Sequence, residues 1–237
     1  MSIYAISDFH LSISFPDKSM DVFGQFWDNY IEKLQKNIVN VVGNDDLILI
    51  PGDISWATYI KDAAMDFDFI NRLPGRKIIS KGNHDYWWET VNKLNRFLSD
   101  NSFDTISFLH NNFFEWENTV ICGFRGWILP GSDGFSEEDE KIYSREIMRL
   151  ELSLQTAQKQ WTKQPERMVV MMHYPPYYPD LTLCRDVRSL FAKYGVTDCI
   201  YGHIHSPYAA LLNDEIDGVY YRCVSCNLID FTPIKIV

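Results

Sequence analysis

Apolar residues gather in short, β-branched runs of strand length, and the stretches between them repeat apolar positions every three or four residues. The runs are Ile3–Ile6, Leu47–Ile50, Lys77–Ile79, Thr119–Cys122, Met168–Met172 and Asp198–Tyr201, each read as a buried strand. Between the first two, Phe23, Phe26, Trp27, Tyr30, Ile31, Leu34, Ile38 and Val41 form one stripe at helical spacing. Ala57, Ile60, Ala64, Phe67 and Ile70 predict a second helix ahead of Pro74-Gly75. Tyr143, Ile147, Leu150, Leu154, Ala157 and Trp161 predict a third, behind the capping-box pair Ser136 and Asp139. That stripe is short for a coiled-coil seam, so it reads as packing on a sheet.

Strand–helix alternation through the first half implies βαβ crossovers and a largely parallel sheet. The later half carries two hairpin patterns, Phe113–Trp116 with Thr119–Gly123 and Ala209–Asn213 with Val219–Val224. The expected fold is therefore α/β, a sandwich of two mixed β-sheets flanked by helices. No repeat, low-complexity tract or linker divides residues 1–237, which predicts a single domain.

Five predicted strands run directly into a polar cluster. These are Ser7-Asp8-Phe9-His10, Pro51-Gly52-Asp53, Gly82-Asn83-His84-Asp85, His173, and Gly202-His203-Ile204-His205. Ligands bind open α/β sheets beyond the carboxyl ends of their strands, so the five clusters are expected on one rim. Carboxylate, imidazole and amide groups form a mixed O/N set suited to Mn, Fe or Zn, and no thiolate joins them. In Asp8-x-His10 and His203-x-His205, alternate residues of an extended segment point the same way. Gly52, Gly82 and Gly202 stand where a backbone must turn sharply.

Charge and cysteine content narrow the partners. With 22 Lys plus Arg against 32 Asp plus Glu, the net charge of −10 argues against gripping long nucleic acid. No apolar stretch is long enough to span a membrane and no signal-like segment precedes Ser7-Asp8. Five scattered cysteines, an odd number, do not form a disulfide framework, and the cytoplasm is the expected compartment. Cys223-x-x-Cys226 reads as a pair of buried structural thiols. His110 lies outside every cluster and reads as a turn or surface residue.

The ordered blocks D-x-H, G-D, G-N-H-D, H and G-H-x-H, spread from residue 8 to 205, closely resemble the calcineurin-like metallophosphoesterases. The resemblance implies a hydrolase that cleaves a small phosphomonoester or phosphodiester through attack by a hydroxide bridging two divalent metal ions. Carried over by the matching motifs, Asp8, His10, Asp53 and His205 would hold one ion, and Asp53, Asn83, His173 and His203 the other. His84 would face the scissile ester, protonating the leaving oxygen or stabilising charge, and Asp85 would orient its ring. The ions are expected to be Mn, Fe or Zn. A phosphoprotein phosphatase and a non-catalytic interaction module on the same fold are the alternatives.

Substrate contacts are less defined. Trp56, Tyr86, Trp87, Trp88, Trp127, Tyr174, Tyr177 and Tyr178 crowd the same loops, either packing the rim or walling a planar leaving group. Trp87 and Tyr174 are candidates for the second role. Arg125, between Gly123-Phe124 and Gly126, either reaches a phosphate or makes an ordinary ion pair. Pro175-Pro176 and Pro179 stiffen the segment after His173.

Overall fold

A computed structural model describes residues 1–237. Its strands are β1 (Ile3–Ala5), β2 (Leu47–Pro51), β3 (Arg76–Ser80), β4 (Ile106–Phe108), β5 (Phe114–Trp116), β6 (Thr119–Gly123), β7 (Arg167–Met172), β8 (Asp198–Tyr201), β9 (Glu215–Ile216), β10 (Val219–Cys223) and β11 (Ile234–Lys235). The α-helices are α1 (Tyr30–Val41), α2 (Ala64–Arg72), α3 (Val91–Asp100), α4 (Glu137–Gln160) and α5 (Arg185–Tyr194). One sheet has the order β11-β1-β2-β3-β4 and the other β5-β6-β7-β8-β10-β9. Both are mixed: the interior pairs are parallel, while β11, β5 and β9 join antiparallel.

The unbroken apolar runs follow from burial on both faces of each sheet. Leu47 and Leu49 of β2 pack into the layer between the sheets with Val169 and Met171 of β7. The alternate residues Ile48 and Ile50 face outward to Leu34 and Ile38 of α1, Phe67 of α2 and Phe97 of α3. Across the molecule, Val170 and Met172 meet Leu150 and Leu154 of α4 and Phe191 of α5. The result is a helix–sheet–sheet–helix sandwich, as the sequence pattern predicts. No helix is long and apolar enough to cross a membrane.

α4 starts as read: Asp139 N–H donates to Ser136 Oγ at 3.3 Å, and Ser136 N–H donates to Asp139 Oδ2 at 3.0 Å. α1 starts later than its stripe. Gly24 (φ +117°) and Asn29 (φ +53°) leave the helical region, so Met20–Phe23 and Gln25–Trp27 form separate 3₁₀ turns. Phe23 and Phe26 consequently stay exposed. α2 is likewise shortened by a 3₁₀ turn at Ile60–Ala63. The second hairpin pairs Glu215–Ile216, not Ala209–Asn213, with β10. Asp217 and Gly218 both take positive φ (+55° and +79°), the geometry of a two-residue hairpin turn, which moves the first arm next to them.

β1, β2, β3, β7 and β8 all end on the same rim, which is where the five polar clusters sit. Their neighbours Leu109 and Phe124, after β4 and β6, widen that rim.

Candidate metal centre

The turns at the rim are built from residues in unusual backbone states. Asp8 (φ +60°), His10 (+44°), Asp53 (+54°) and His203 (+72°) all occupy the left-handed region, which lets the chain reverse within a residue of the strand end. Asp and His tolerate that region better than branched residues, so the residue types serve conformation as well as chemistry. Gly52 (φ +92°) and Gly82 pack backbone to backbone: a Cβ on Gly52 would lie 2.6 Å from Gly82 Cα, and one on Gly82 would collide with the Asp53 carboxylate. The glycines therefore admit a neighbouring loop.

Two sets of side chains converge. Asp8, His10 and His205 form one, and Asp53, His173 and His203 the other; within each, potential ligand atoms lie within 4.8 Å of one another. Asn83 completes the second, its Oδ1 2.6 Å from His173 Nε2 and 2.8 Å from His203 Nδ1. Asp53 stands between the sets. Its Oδ1 accepts the His84 N–H at 2.8 Å, while Oδ2 is buried without a hydrogen-bond partner, 3.3 Å from His173 Nε2 and 3.6 Å from His10 Nε2.

Tautomers decide what fills the space between these atoms. His173 Nδ1 lies 3.0 Å from the Pro51 carbonyl, which only accepts, so Nδ1 carries a proton. In the neutral ring, Nε2 then presents a lone pair toward Asn83 Oδ1 and Asp53 Oδ2. His205 repeats the pattern: Nδ1 faces Asn227 Oδ1 at 3.0 Å, and Nε2 faces His10 Nε2 at 3.2 Å. A ring fixed through one nitrogen by an oxygen acceptor, with the other aimed into a pocket of lone pairs, is the arrangement of metal-ligating histidine. The donor set and the orphaned Asp53 oxygen fit divalent cations.

Electrostatics agree. Burial lowers the pKa of His10 and of His203 to about 4, keeping both rings neutral and their lone pairs free at pH 7. Burial acts the same way on His173, but the facing Asp53 outweighs it and raises its pKa to about 9. Asp53 is held well below the usual carboxylate range: burial opposes its charge, and His173 and His10 prevail. Without a cation, one proton thus sits between Asp53 and His173, where a metal would compete for the same lone pairs.

The structure brings all seven predicted ligands together and puts His84 beside them. Its ring centroid is 5.6 Å from that of His10 and 4.7 Å from that of Trp56, and its Nδ1 is buried with no partner. Asp85 does not orient that ring, contrary to the sequence expectation. Its carboxylate instead accepts from the amides of Asp53 (2.9 Å), Ile54 (2.8 Å) and Gly82 (2.7 Å) and from Trp87 Nε1 (3.0 Å). Four donors leave no lone pair directed to His84, and Asp85 acts as the clamp that joins the β2 and β3 loops. Burial and the nearby Asp53 raise its pKa to about 6.

Trp87, read as a substrate contact, is 1% exposed and belongs to the core beneath α2 and α3. Trp56 takes the wall position: it stacks on His10 at 5.0 Å and leans on His84. Tyr174 is also buried, its ring 4.3 Å from that of His203 and 5.3 Å from that of Trp127, so it packs against a candidate ligand histidine. An apolar cavity of about 360 Å³ opens beside it, lined by Trp127, Tyr178, His203 and Ile204 among others. Arg125 contacts Glu146 at 3.5 Å and lies 4.4 Å over Trp127. Its carbonyl accepts the N–H groups of His173 (2.9 Å) and Tyr174 (3.0 Å), tying the β6 loop to the β7 loop.

Sequence reasoning did not find Asn227, which clasps His205 twice, through Nδ1 and through the His205 carbonyl at 2.8 Å. It sits in a 3₁₀ turn after β10, outside any motif. Ser7 Oγ and the His203 amide, which donate to Asp8, were visible only as neighbours of ligands. All five cysteines are buried and free, and Cys226 Sγ donates to the Asp8 carbonyl at 3.0 Å, a structural role.

A family model described as calcineurin-like phosphoesterase matches residues 1–207. The fold is similar to that of a Thermus thermophilus protein, with a TM-score of 0.60 and 14% identity over 98% of this chain and 96% of the other. It is also similar to a phosphopantetheinyl hydrolase from Mycobacterium tuberculosis, with a TM-score of 0.56 and 14% identity over 94% and 89%. A protein of unknown function from Aquifex aeolicus aligns with a TM-score of 0.50 and 18% identity over 99% and 95%. Comparison with curated protein sequences finds no match.

Proposed function

The chain belongs to the calcineurin-like phosphoesterase family and is a phosphoester hydrolase of that family; on that premise we propose that it cleaves a small phosphomonoester or phosphodiester at a dinuclear metal centre. Asp8, His10, Asp53 and His205 would hold one ion, and Asp53, Asn83, His173 and His203 the other, with Asp53 shared by both sets. The observation that carries the assignment is the orphaned, buried Oδ2 of Asp53, which faces both His10 Nε2 and His173 Nε2. Manganese, iron or zinc in such a pair supplies Lewis-acid polarisation of the phosphoryl group and an activated water.

The protein's own groups do the rest. Pro51 and Asn227 fix the tautomers of His173 and His205 before anything binds. His84 is placed at the edge of the centre as the group that serves the departing oxygen, its backbone anchored to Asp53 Oδ1 and its ring braced by Trp56. Trp56 and Trp27, which flanks His205 at 5.7 Å, shield that side of the centre from water.

Residues 1–237 work as one domain in this reading, because β10 and β11, beyond the matched residues, pair with β8 and β1. Five free cysteines, all buried, support a reducing compartment, the cytoplasm. Hydrolysis of p-nitrophenyl phosphate and of its bis ester, with and without added Mn²⁺, tests the function. Metal-dependent release from at least one is expected, and the preferred ester separates monoesterase from diesterase. Protein shown to hold two ions and inert toward both would overturn the proposal and favour a non-catalytic module.

A further inference from the structure

Beside the metal centre, the ends of β3, β4 and β6 and the first half of α4 enclose a second cavity, of about 570 Å³. Its charge is opposite to that of the chain. Lys81, Arg125, Arg145 and Arg149 line it against two carboxylates, Glu89 and Glu146, in a protein of net charge −10. Both carboxylates are engaged: Glu89 by Lys93 at 3.0 Å, Glu146 by Arg125 and Arg149. Lys81 and Arg145 have no carboxylate partner, and the only hydrogen bond the Arg145 side chain makes is from Nε to the Lys141 carbonyl.

The lining also holds buried polar atoms without partners: Ser80 Oγ, Trp88 Nε1, Asn111 Oδ1 and Arg125 Nε. An unsatisfied buried polar group costs about 1–3 kcal/mol, and three of these four can donate. Donors and surplus cations around one cavity describe a receptor for anionic oxygens. Arg125 is pre-set for this, with its guanidinium carbon 4.4 Å from the Trp127 ring centre while Nε stays free. His110, outside every sequence motif, lines the same cavity, where burial and the nearby Arg149 and Lys81 lower its pKa.

The cavity and the metal centre share their loops. Lys81 precedes Gly82, whose amide is held by Asp85, and the Arg125 carbonyl receives the His173 amide. We propose that this cavity binds a second anionic group of the substrate, so that the enzyme selects phosphoesters bearing a further phosphate or carboxylate. The inference rests on the phosphoesterase reading above and adds the class of substrate.

Two matched pairs test it in the Mn-loaded enzyme: adenosine 3′-phosphate against adenosine 3′,5′-bisphosphate, and O-phosphoethanolamine against O-phosphoserine. The doubly anionic member of at least one pair is expected to show a kcat/KM about tenfold higher, mostly through KM, as one charge-assisted hydrogen bond supplies. The pair that shows the preference tells phosphate from carboxylate. Arg145→Gln, which removes an exposed cation that no carboxylate depends on, is expected to lower that ratio about threefold at unchanged melting temperature. Arg145→Gln combined with Lys81→Gln should bring it near one. Equal kcat/KM within both pairs, or a ratio that survives both substitutions, would overturn the inference and leave the phosphoesterase reading standing. Hydrolysis of none of the four monoesters by enzyme that cleaves p-nitrophenyl phosphate or its bis ester would overturn this inference alone; inertness toward those two as well would overturn both readings.

Discussion

Nε2 of His10 and Nε2 of His205, 195 residues apart in sequence, lie 3.2 Å from one another at the rim. With His205 Nδ1 engaged by Asn227 and His10 neutral, both Nε2 atoms point into one gap, where a cation would take the place of the hydrogen bond between them. Metal is therefore expected to raise stability, by about 2.7 kcal/mol at a concentration a hundredfold above its dissociation constant. Thermal melting with Mn²⁺ and with a chelator measures the shift. Superimposable melting curves would contradict a cation at His10 and His205.

Asp53→Asn replaces the one carboxylate that faces both histidine sets. Occupancy of both ions should fall together, by at least about tenfold in affinity, given what even outer-shell changes do. Elemental analysis after dialysis against limiting metal checks this. Loss of a single ion would mean that Asp53 serves one site only.

The pH dependence of the metal-free protein follows from three rings. His10 and His203, with pKa lowered to about 4, give stability that is present above the unfolded value of about 6.5 and lost as pH falls toward 4. His173, with pKa raised to about 9, contributes below about 6.5 and loses its contribution as pH rises through 9. In chelator these groups together give a stability maximum near pH 6.5, and added metal removes the alkaline decline. Urea unfolding midpoints from pH 5 to 9.5 read both limbs. A chelated protein that gains stability between pH 7 and 9 would contradict a shared proton on His173.

Asp85→Ala strands three backbone amides that now donate to one carboxylate. A loss of about 3 kcal/mol is expected in urea unfolding, larger than for a surface carboxylate. Were Asp85 an orienter of His84 instead, activity would fall while stability held.

His84→Ala should lower kcat by about 10²–10⁴ with both ions retained, the range for removing a positioned acid. Single-turnover assays combined with metal analysis separate this from simple loss of metal.

The residues that gather at the rim were far more legible in the sequence than the contacts that support them. Asp8, His10, Asp53, His173, His203 and His205 stand directly after apolar runs or their glycines, so strand ends and candidate ligands announce one another. The capping box at Ser136 and Asp139 marks α4 for the same local reason. α3 and α5 lie outside the apolar stripes read from the sequence. β4 and β11, of three and two residues, are too short to show alternation. Asn227 and the Asp85 clamp are contacts between distant loops, and no spacing within one loop encodes them. Trp87 and Trp56 differ for a similar reason: both follow a ligand loop, and only packing decides that one enters the core and the other walls the site.

Tyr4 of β1 pairs with Lys235, and Cys226 donates to the Asp8 carbonyl from 218 residues downstream. During synthesis on a ribosome, the first strand and its Asp8-x-His10 turn thus emerge long before the segments that close them. Until then β1 has one open edge, and its left-handed turn has no His203 amide to hold it. Contacts of such separation slow folding, so this rim is completed only once the segments around His203, Cys226 and β11 have joined β1.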